Sequence, residues 1–446
     1  IMRCRLANSF TLTLGIFPPK TDMLVPELNL RVNGGNVAIV QIYSADLEPG
    51  MYVSGLDRPW LETPFTLQGF RLESEEEVQK LQQYCRFVYV DTSLSTQDEA
   101  ILLRKVRNRP KLRRPIGQLF PDKKLKKYAD VSNWEEEYPR ALKAVMVLSQ
   151  GIEVVFTKLA EKVVLDMVTV KKCVEPMIDS VVRYPAACIW LARVKQEDHY
   201  TYQHPLGSSI WAVALGRQIG LSKTDLRSLA IGGLLFDIGK LSLDPGLLET
   251  TSKLTEREFD EVRSHVKVGM EMIRGTPLVN TDVIDMIAHH HERFDGSGYP
   301  EGLRGDDIPV FARMAAIVDC YDAVTSHRGY AKAISPSEAV KLLNEWKDVD
   351  FQGELVEEFI QAVGIYPAGT LVELSSGEVG VVMASDSHRR LRPRVLLLLD
   401  AEKNKLPTPR TVDLAPDTRS VEGAHLEILD SLEPNAHGID LGQVPI

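Results

Sequence analysis

Apolar residues change their rhythm twice along the chain. Over residues 37–43, 64–70 and 87–90 they fall in the short runs expected of strands. Between the last two, Ser74 precedes Glu75, Glu76 and Glu77, and Val78, Leu81 and Tyr84 follow at helical spacing. That is a capped helix with acids in its first turn. From 138 to 364 a period near 3.6 takes over, in segments 141–148, 163–174, 210–219, 226–236, 256–273, 283–291, 310–323 and 335–343. The last of these opens with Ser335 as cap and Pro336 in the first turn. Alternation returns at 370–374, 379–383 and 394–400, around the turn Ser375, Ser376, Gly377, Glu378. The pattern predicts a multidomain α+β protein. An all-α domain of seven or more helices is flanked by a small N-terminal α+β module and a C-terminal β-rich module.

At 446 residues the chain is too long for one core. The boundaries expected are an extension over 1–22, an accessory or sensory module over 23–95, and a basic linker over 96–140. The helical domain follows over 141–365, then the β-rich module over 366–415 and a flexible tail over 416–446. The linker owes its character to Arg104, Lys105, Arg107, Arg109, Lys111, Arg113, Arg114, Lys123, Lys124, Lys126 and Lys127. A formal charge of −10 argues against nucleic acid as a partner, so affinity for an anion must come from a few placed cations. Five scattered cysteines without a CxxC pair fit a reducing compartment and give no sign of a disulfide framework or zinc knuckle. No stretch approaches the roughly 18–20 apolar residues of a spanning helix. The opening residues match a signal peptide poorly, and Met23 is a plausible alternative start; a cytoplasmic location is expected.

The strongest chemical signal is His289, His290 and His291, which end an apolar run and lead into a turn with Gly296, Gly298 and Pro300. Imidazoles are common ligands of transition metals. Successive helical residues fan through roughly 200°, so His289 is set aside. Further donors are available in the same domain: His204 at a helix head, His265 within 256–273, and Asp237 and Asp319 at the ends of apolar runs. A carboxylate amid so much apolar sequence is costly to bury alone. A metal would offset that cost, as would an arginine or a helix N-terminus. His199, His327, His388, His425 and His437 lack such surroundings and read as surface residues.

These residues carry a family resemblance. Phe236-Asp237-Ile238-Gly239-Lys240, His265, the run from His290 to Pro300, the segment from Gly302 to Asp306, Asp319 to Ala323, and Arg328-Gly329-Tyr330 resemble an HD-GYP domain over about 187–364. The segment 47–91 is similar to the uncharacterised domain that often precedes it in bacteria. The resemblance implies a bacterial phosphodiesterase that hydrolyses cyclic di-GMP to pGpG or GMP at a dinuclear centre of iron or manganese. It implies His204, Asp237, His265, His290, His291 and Asp319 as ligands, with Asp237 bridging. Lys240 would lie near the scissile phosphate. Asp295, Gly298, Tyr299 and Pro300 would shape the substrate loop, and Arg328 would meet a phosphate or guanine. Glu292 would orient a ligand imidazole or lie at the surface as an ordinary carboxylate.

Three positions depart from the family. Phe236 replaces the namesake histidine, which makes the HD motif degenerate and deprives the metal of His204, Asp237 and Asp319 of one donor. The second metal position, with Asp237, His265, His290 and His291, keeps its full set. Tyr200 stands where three-metal members have glutamate, so no third metal is expected. Ala331 stands where many members have a basic residue. The alternative to an enzyme is therefore a non-catalytic receptor for cyclic di-GMP or a signalling partner. Oligomeric state is open.

Overall fold

The computed structural model describes residues 3–6, 10–13, 39–56, 65, 69–85, 87–96, 113–161, 164–194, 200–249, 254–277, 279–326, 333–384, 392–414, 418 and 425–444. The chain divides into two compact units, residues 1–113 and 114–446.

In the first unit β1 (Arg3–Leu6) and β2 (Phe10–Thr13) pair as a hairpin. The remainder is a four-stranded sheet made of β3 (Ile39–Tyr43), β4 (Tyr52–Leu56), β5 (Phe70–Arg71) and β6 (Phe87–Asp91), in the order β3-β6-β4-β5. Helix α1 (Glu75–Tyr84) precedes β6, and Ser74 caps it by accepting from the Glu77 N–H. Val53, Leu72, Leu81, Val88 and Val90 form the core. Most of the strand expected over 64–70 lies outside the described residues.

The second unit is built on helices. They are α2 (Trp134–Ala160), α3 (Met167–Arg183), α4 (Pro185–Val194), α5 (Tyr200–Ile219), α6 (Lys223–Leu235), α7 (Pro245–Glu249), α8 (Glu256–Arg263), α9 (His265–Ile273), α10 (Thr281–His289), α11 (Val310–Thr325), α12 (Pro336–Glu345) and α13 (Gly353–Val363). Helix α5 is central, packed against α2, α3, α4, α6, α11 and α13. Its Trp211 and the Tyr321 of α11 are fully buried and meet edge to face. The single helix expected over 256–273 is interrupted at Ser264, whose N–H donates to the Asp260, Glu261 and Val262 carbonyls.

The C-terminal sheet contains β7 (Leu371–Leu374), β8 (Val379–Ala384), β9 (Arg394–Leu399), β10 (Lys405–Asp413) and β11 (Ile428–Leu432), in the order β10-β9-β8-β7-β11. Strand β11 corrects the expected flexible tail: its residues pair with β7 and extend the sheet. The expected basic linker is corrected too. From Arg114 on it packs against the helices, and α2 begins within it at Trp134. Phe120 is buried, and Lys123 reaches Asp225 at 2.8 Å and Asp282 at 3.2 Å. Two of its cations, Arg114 and Lys123, pair with acids of the helical unit, which composition alone does not reveal.

Helices α2 and α3 are clamped by Glu137, whose side chain is fully buried. Ser180 Oγ donates to it at 2.8 Å, and Arg183 donates through Nε at 2.9 Å and a terminal nitrogen at 2.7 Å. Burial pushes the carboxyl pKa up, but Arg183 and Ser180 hold it below the ordinary value. The clamp therefore stabilises fully above the usual glutamate pKa of about 4.3 and is lost as pH falls through the lower folded value. Glu137→Ala is expected to cost about 3 kcal/mol at neutral pH, read from the urea midpoint. The difference from the parent should shrink in acid; a constant difference down to pH 3 would exclude this account.

Candidate metal centre

Five elements converge on Asp237. It follows Phe236, the C-cap of α6, and is the N-cap of the 3-10 turn Ile238–Ser242, so its side chain emerges where α5, α9, α10 and α11 meet. From α5, His204 Nε2 lies 3.2 Å from Asp237 Oδ2 and 3.4 Å from Asp319 Oδ1 of α11. From α9, His265 Nε2 lies 3.2 Å from Asp237 Oδ1. His290, just past α10, places Nε2 3.5 Å from the same oxygen and 3.4 Å from His265 Nε2. His291 Nδ1 is 3.9 Å from Asp319 Oδ2. All of these side chains are buried.

The far side of three rings fixes their tautomers. His204 Nδ1 donates to Asp322 Oδ2 at 2.7 Å. His265 Nδ1 donates to the Val262 carbonyl at 2.6 Å. His290 Nδ1 donates to the Met286 and Ile287 carbonyls, both at 3.1 Å. Each Nε2 is thus turned toward Asp237, the arrangement that orients a histidine for a metal.

Two donor sets result, Asp237 with His265, His290 and His291, and His204 with Asp237 and Asp319. Within each, the donor atoms lie within 4.8 Å of one another, and Asp237 belongs to both. Asp237 Oδ1, His204 Nε2 and both nitrogens of His291 are buried without a hydrogen-bond partner. Buried polar atoms are rarely left so, and a cation bound by each set would satisfy them. Burial opposes the His204 imidazolium, but Asp237, Asp319 and Asp322 hold its pKa well above the ordinary value. Burial likewise opposes the Asp237 carboxylate, yet Lys240, His204, His265 and His290 hold its pKa well below. Burial, and then His290 and His265, press His291 well below, so its ring is neutral and keeps a lone pair. The site demands positive charge, and its imidazole and carboxylate donors suit a divalent transition metal.

Phe236 is fully buried beside these donors. Its ring stacks on His290 at 4.8 Å and meets His204 edge-on at 5.6 Å. It fills the space next to both and offers no donor atom. His289 lies outside both sets. Lys240 Nζ contacts Asp237 Oδ2 from the 3-10 turn.

The glycine-rich turn forms a lid beside His291. The Tyr299 ring stacks on His291 at 4.7 Å, and its N–H donates to the His291 carbonyl at 3.3 Å. Gly298 is needed here: a Cβ would lie 2.3 Å from the Arg293 nitrogen and 2.5 Å from the His291 oxygen. Asp295 Oδ1 accepts from the Ser297 N–H at 2.9 Å and shapes the turn, while Pro300 is exposed. Glu292 follows neither expectation. It is 1% exposed, and its Oε1 accepts from the backbone N–H groups of Glu301 at 2.8 Å and Gly302 at 3.1 Å. It holds the loop rather than an imidazole. Arg328, Ala331 and the side chain of Tyr200 lie outside the described residues, as do His199, His327 and His388.

Sequence reasoning missed Asp322. It lies one turn beyond Asp319 on α11, so a second carboxylate at i+3 in an apolar helix was the available signal. Trp211 Nε1 donates to its other oxygen at 3.0 Å. Gly207 makes room for it, since a Cβ there would come within 2.3 Å of Asp322 Oδ1.

Three family models match the chain: an HD domain over residues 178–355, a domain of unknown function (DUF3391) over 39–168, and a KOW domain associated with HD domain over 371–420. Cyclic di-GMP phosphodiesterase PA4108 of Pseudomonas aeruginosa is 34% identical over 370 residues, which cover 82% of this chain and 86% of that protein. The cyclic di-GMP phosphodiesterase response regulator RpfG of Xanthomonas campestris is 38% identical over 130 residues, 29% of this chain and 34% of that one. A 3'3'-cGAMP-specific phosphodiesterase 2 of Vibrio cholerae is 29% identical over 169 residues, 38% of this chain and 32% of that one.

Asp322→Ala is expected to weaken manganese binding about 10- to 100-fold by releasing the His204 ring, with helix content unchanged. Metal titration followed by circular dichroism checks this; undiminished affinity would mean that His204 is oriented by something else. Gly298→Ala should displace Tyr299 from His291, seen as altered tyrosine fluorescence at unchanged metal affinity.

Proposed function

Because this chain belongs to the HD-GYP family of HD-domain proteins, we propose that it is a metal-dependent phosphodiesterase that hydrolyses cyclic di-GMP to pGpG or GMP. The observation that carries this reading is the pair of donor sets sharing Asp237. Residues 141–365 form the catalytic domain, with the flanking modules as accessory or sensory parts. A bacterial cytoplasm, where this second messenger acts, is the location that goes with the reading.

His204, Asp237 and Asp319 would hold one metal, and Asp237, His265, His290 and His291 would hold the other. Iron or manganese suits a set of imidazoles and carboxylates without thiolates. Bound there, a pair of divalent cations supplies hydroxide at neutral pH and neutralises charge on the phosphoryl oxygens. The protein supplies the rest. Lys240 adds a point charge beside Asp237, where the scissile phosphate collects negative charge. Asp322, the Val262 carbonyl and the Met286 and Ile287 carbonyls fix the rings, so no reorientation is needed on substrate binding. Tyr299 covers one face of His291 and keeps bulk water from it. Its hydroxyl is buried and its pKa is raised well above the ordinary value, so it acts as a wall and not as an acid or base. Asp295, Gly298 and Pro300 shape the substrate loop, and Arg328 takes a phosphate or guanine.

A second reading is favoured by one observation: the Phe236 phenyl ring occupies the place from which a further donor would serve the His204 set. On that reading the chain binds cyclic di-GMP, or a signalling partner, without turning it over. The purified chain and its Phe236→His variant separate the two. Near-stoichiometric dinuclear metal and pGpG formation by the parent chain support the enzyme. Turnover by the variant alone would leave the parent as a receptor.

Asp237→Ala removes the donor common to both sets. It should reduce metal content to near zero and lower turnover at least 10³-fold, and EDTA treatment of the parent should do the same, reversibly on adding manganese. Persistent turnover in Asp237→Ala would place the chemistry elsewhere.

A further inference from the structure

Cyclic di-GMP has a second phosphate and two guanines besides the bond to be cut, and these also need partners. Arg263 ends α8, two residues before His265. Its guanidinium carbon lies 4.6 Å from the ring centre of Phe259 and 4.6 Å from that of Tyr299. Tyr299 in turn stacks on His291 at 4.7 Å, so Arg263 is joined to the proposed centre through a single side chain. Both aromatic residues are buried, whereas 34% of the Arg263 side chain is exposed.

Aromatic faces hold a guanidinium flat. Its N–H donors are then confined to one plane, and their direction is set before any ligand arrives. Nε is buried and has no hydrogen-bond partner, so it is shut off from solvent, and the donors left to a ligand are the two terminal nitrogens. A terminal nitrogen has an acid nearby, Asp260 Oδ1, but at 3.9 Å and on a side chain 76% exposed. A pair so long and so wet contributes little.

Resting on the phosphodiesterase reading, we propose that Arg263 is a substrate-binding residue whose flat, two-donor edge pairs with two acceptors on the cyclic dinucleotide, away from the scissile phosphate. Two sources offer that chemistry. One is the O6 and N7 pair of a guanine; the other is two oxygens of the second phosphate. The arginine's plane matters as much as its charge, so lysine is no substitute.

The test compares binding of labelled cyclic di-GMP and cyclic di-AMP to the manganese-loaded full chain, on ice and before product forms, for the parent, Arg263→Lys and Arg263→Gln. Both variants should bind cyclic di-GMP about 10-fold or more weakly, at the metal content and melting temperature of the parent. If Arg263→Gln also erases the preference for cyclic di-GMP over cyclic di-AMP, the partner is guanine. Equal weakening for both ligands assigns the second phosphate. Unchanged binding in both variants overturns the proposal alone, as does a loss that only tracks lost metal or a lower melting temperature. If the parent chain itself binds no cyclic di-GMP, the phosphodiesterase reading fails and this inference fails with it.

Discussion

A carboxylate buried among apolar helices is the constraint on which the helical unit turns. Asp237 sits where α6 ends, and it can be ionised there only because three imidazoles and Lys240 surround it. Each of those groups arrives on a different element: His204 on α5, His265 on α9, His290 past α10 and Lys240 on the 3-10 turn. The helices must therefore meet at one point, and the packing of Trp211 against Tyr321 beneath it keeps α5 and α11 in place. The field that results asks for positive charge, which a divalent cation held by the proposed ligands would supply.

The surroundings are specialised by position. Below the donors lie groups that only orient, such as Asp322, held in turn by Trp211. Above them lies the loop, kept in shape by backbone bonds to Glu292 and by the close approach that Gly298 allows. Phe236 belongs to neither layer. It occupies a place next to two histidines with a side chain that packs well and donates nothing, so the His204 set depends more heavily on its two carboxylates. Ring contacts from His291 through Tyr299 to Arg263 link the donors to a partly exposed guanidinium.

Much of this was legible in the chain itself. The change from period 2 to 3.6 and back set out the sheet, the helical domain and the second sheet, because burial of one face imposes those periods. The donors were legible as well: histidines and aspartates at the ends of apolar runs are conspicuous in composition and expensive to bury. Less visible were segments that take part through charge or pairing. The basic stretch from Arg114 and the polar residues of β11 carry no strong apolar pattern, and their places depend on acids and a strand edge far away in sequence.

The sequence by itself determined most of the elements and the supply of metal-ligating side chains, since both depend on residue type and local order. The division of those donors into two sets around Asp237 was already implied by the family resemblance, and the tertiary structure supplied the distances that bring each set together. It also decided that Asp322 serves His204, and that Glu292 serves the loop rather than a ring. The reason is geometric: a hydrogen bond of 2.7 Å between residues 118 positions apart is fixed by how helices cross, and no local pattern records that crossing.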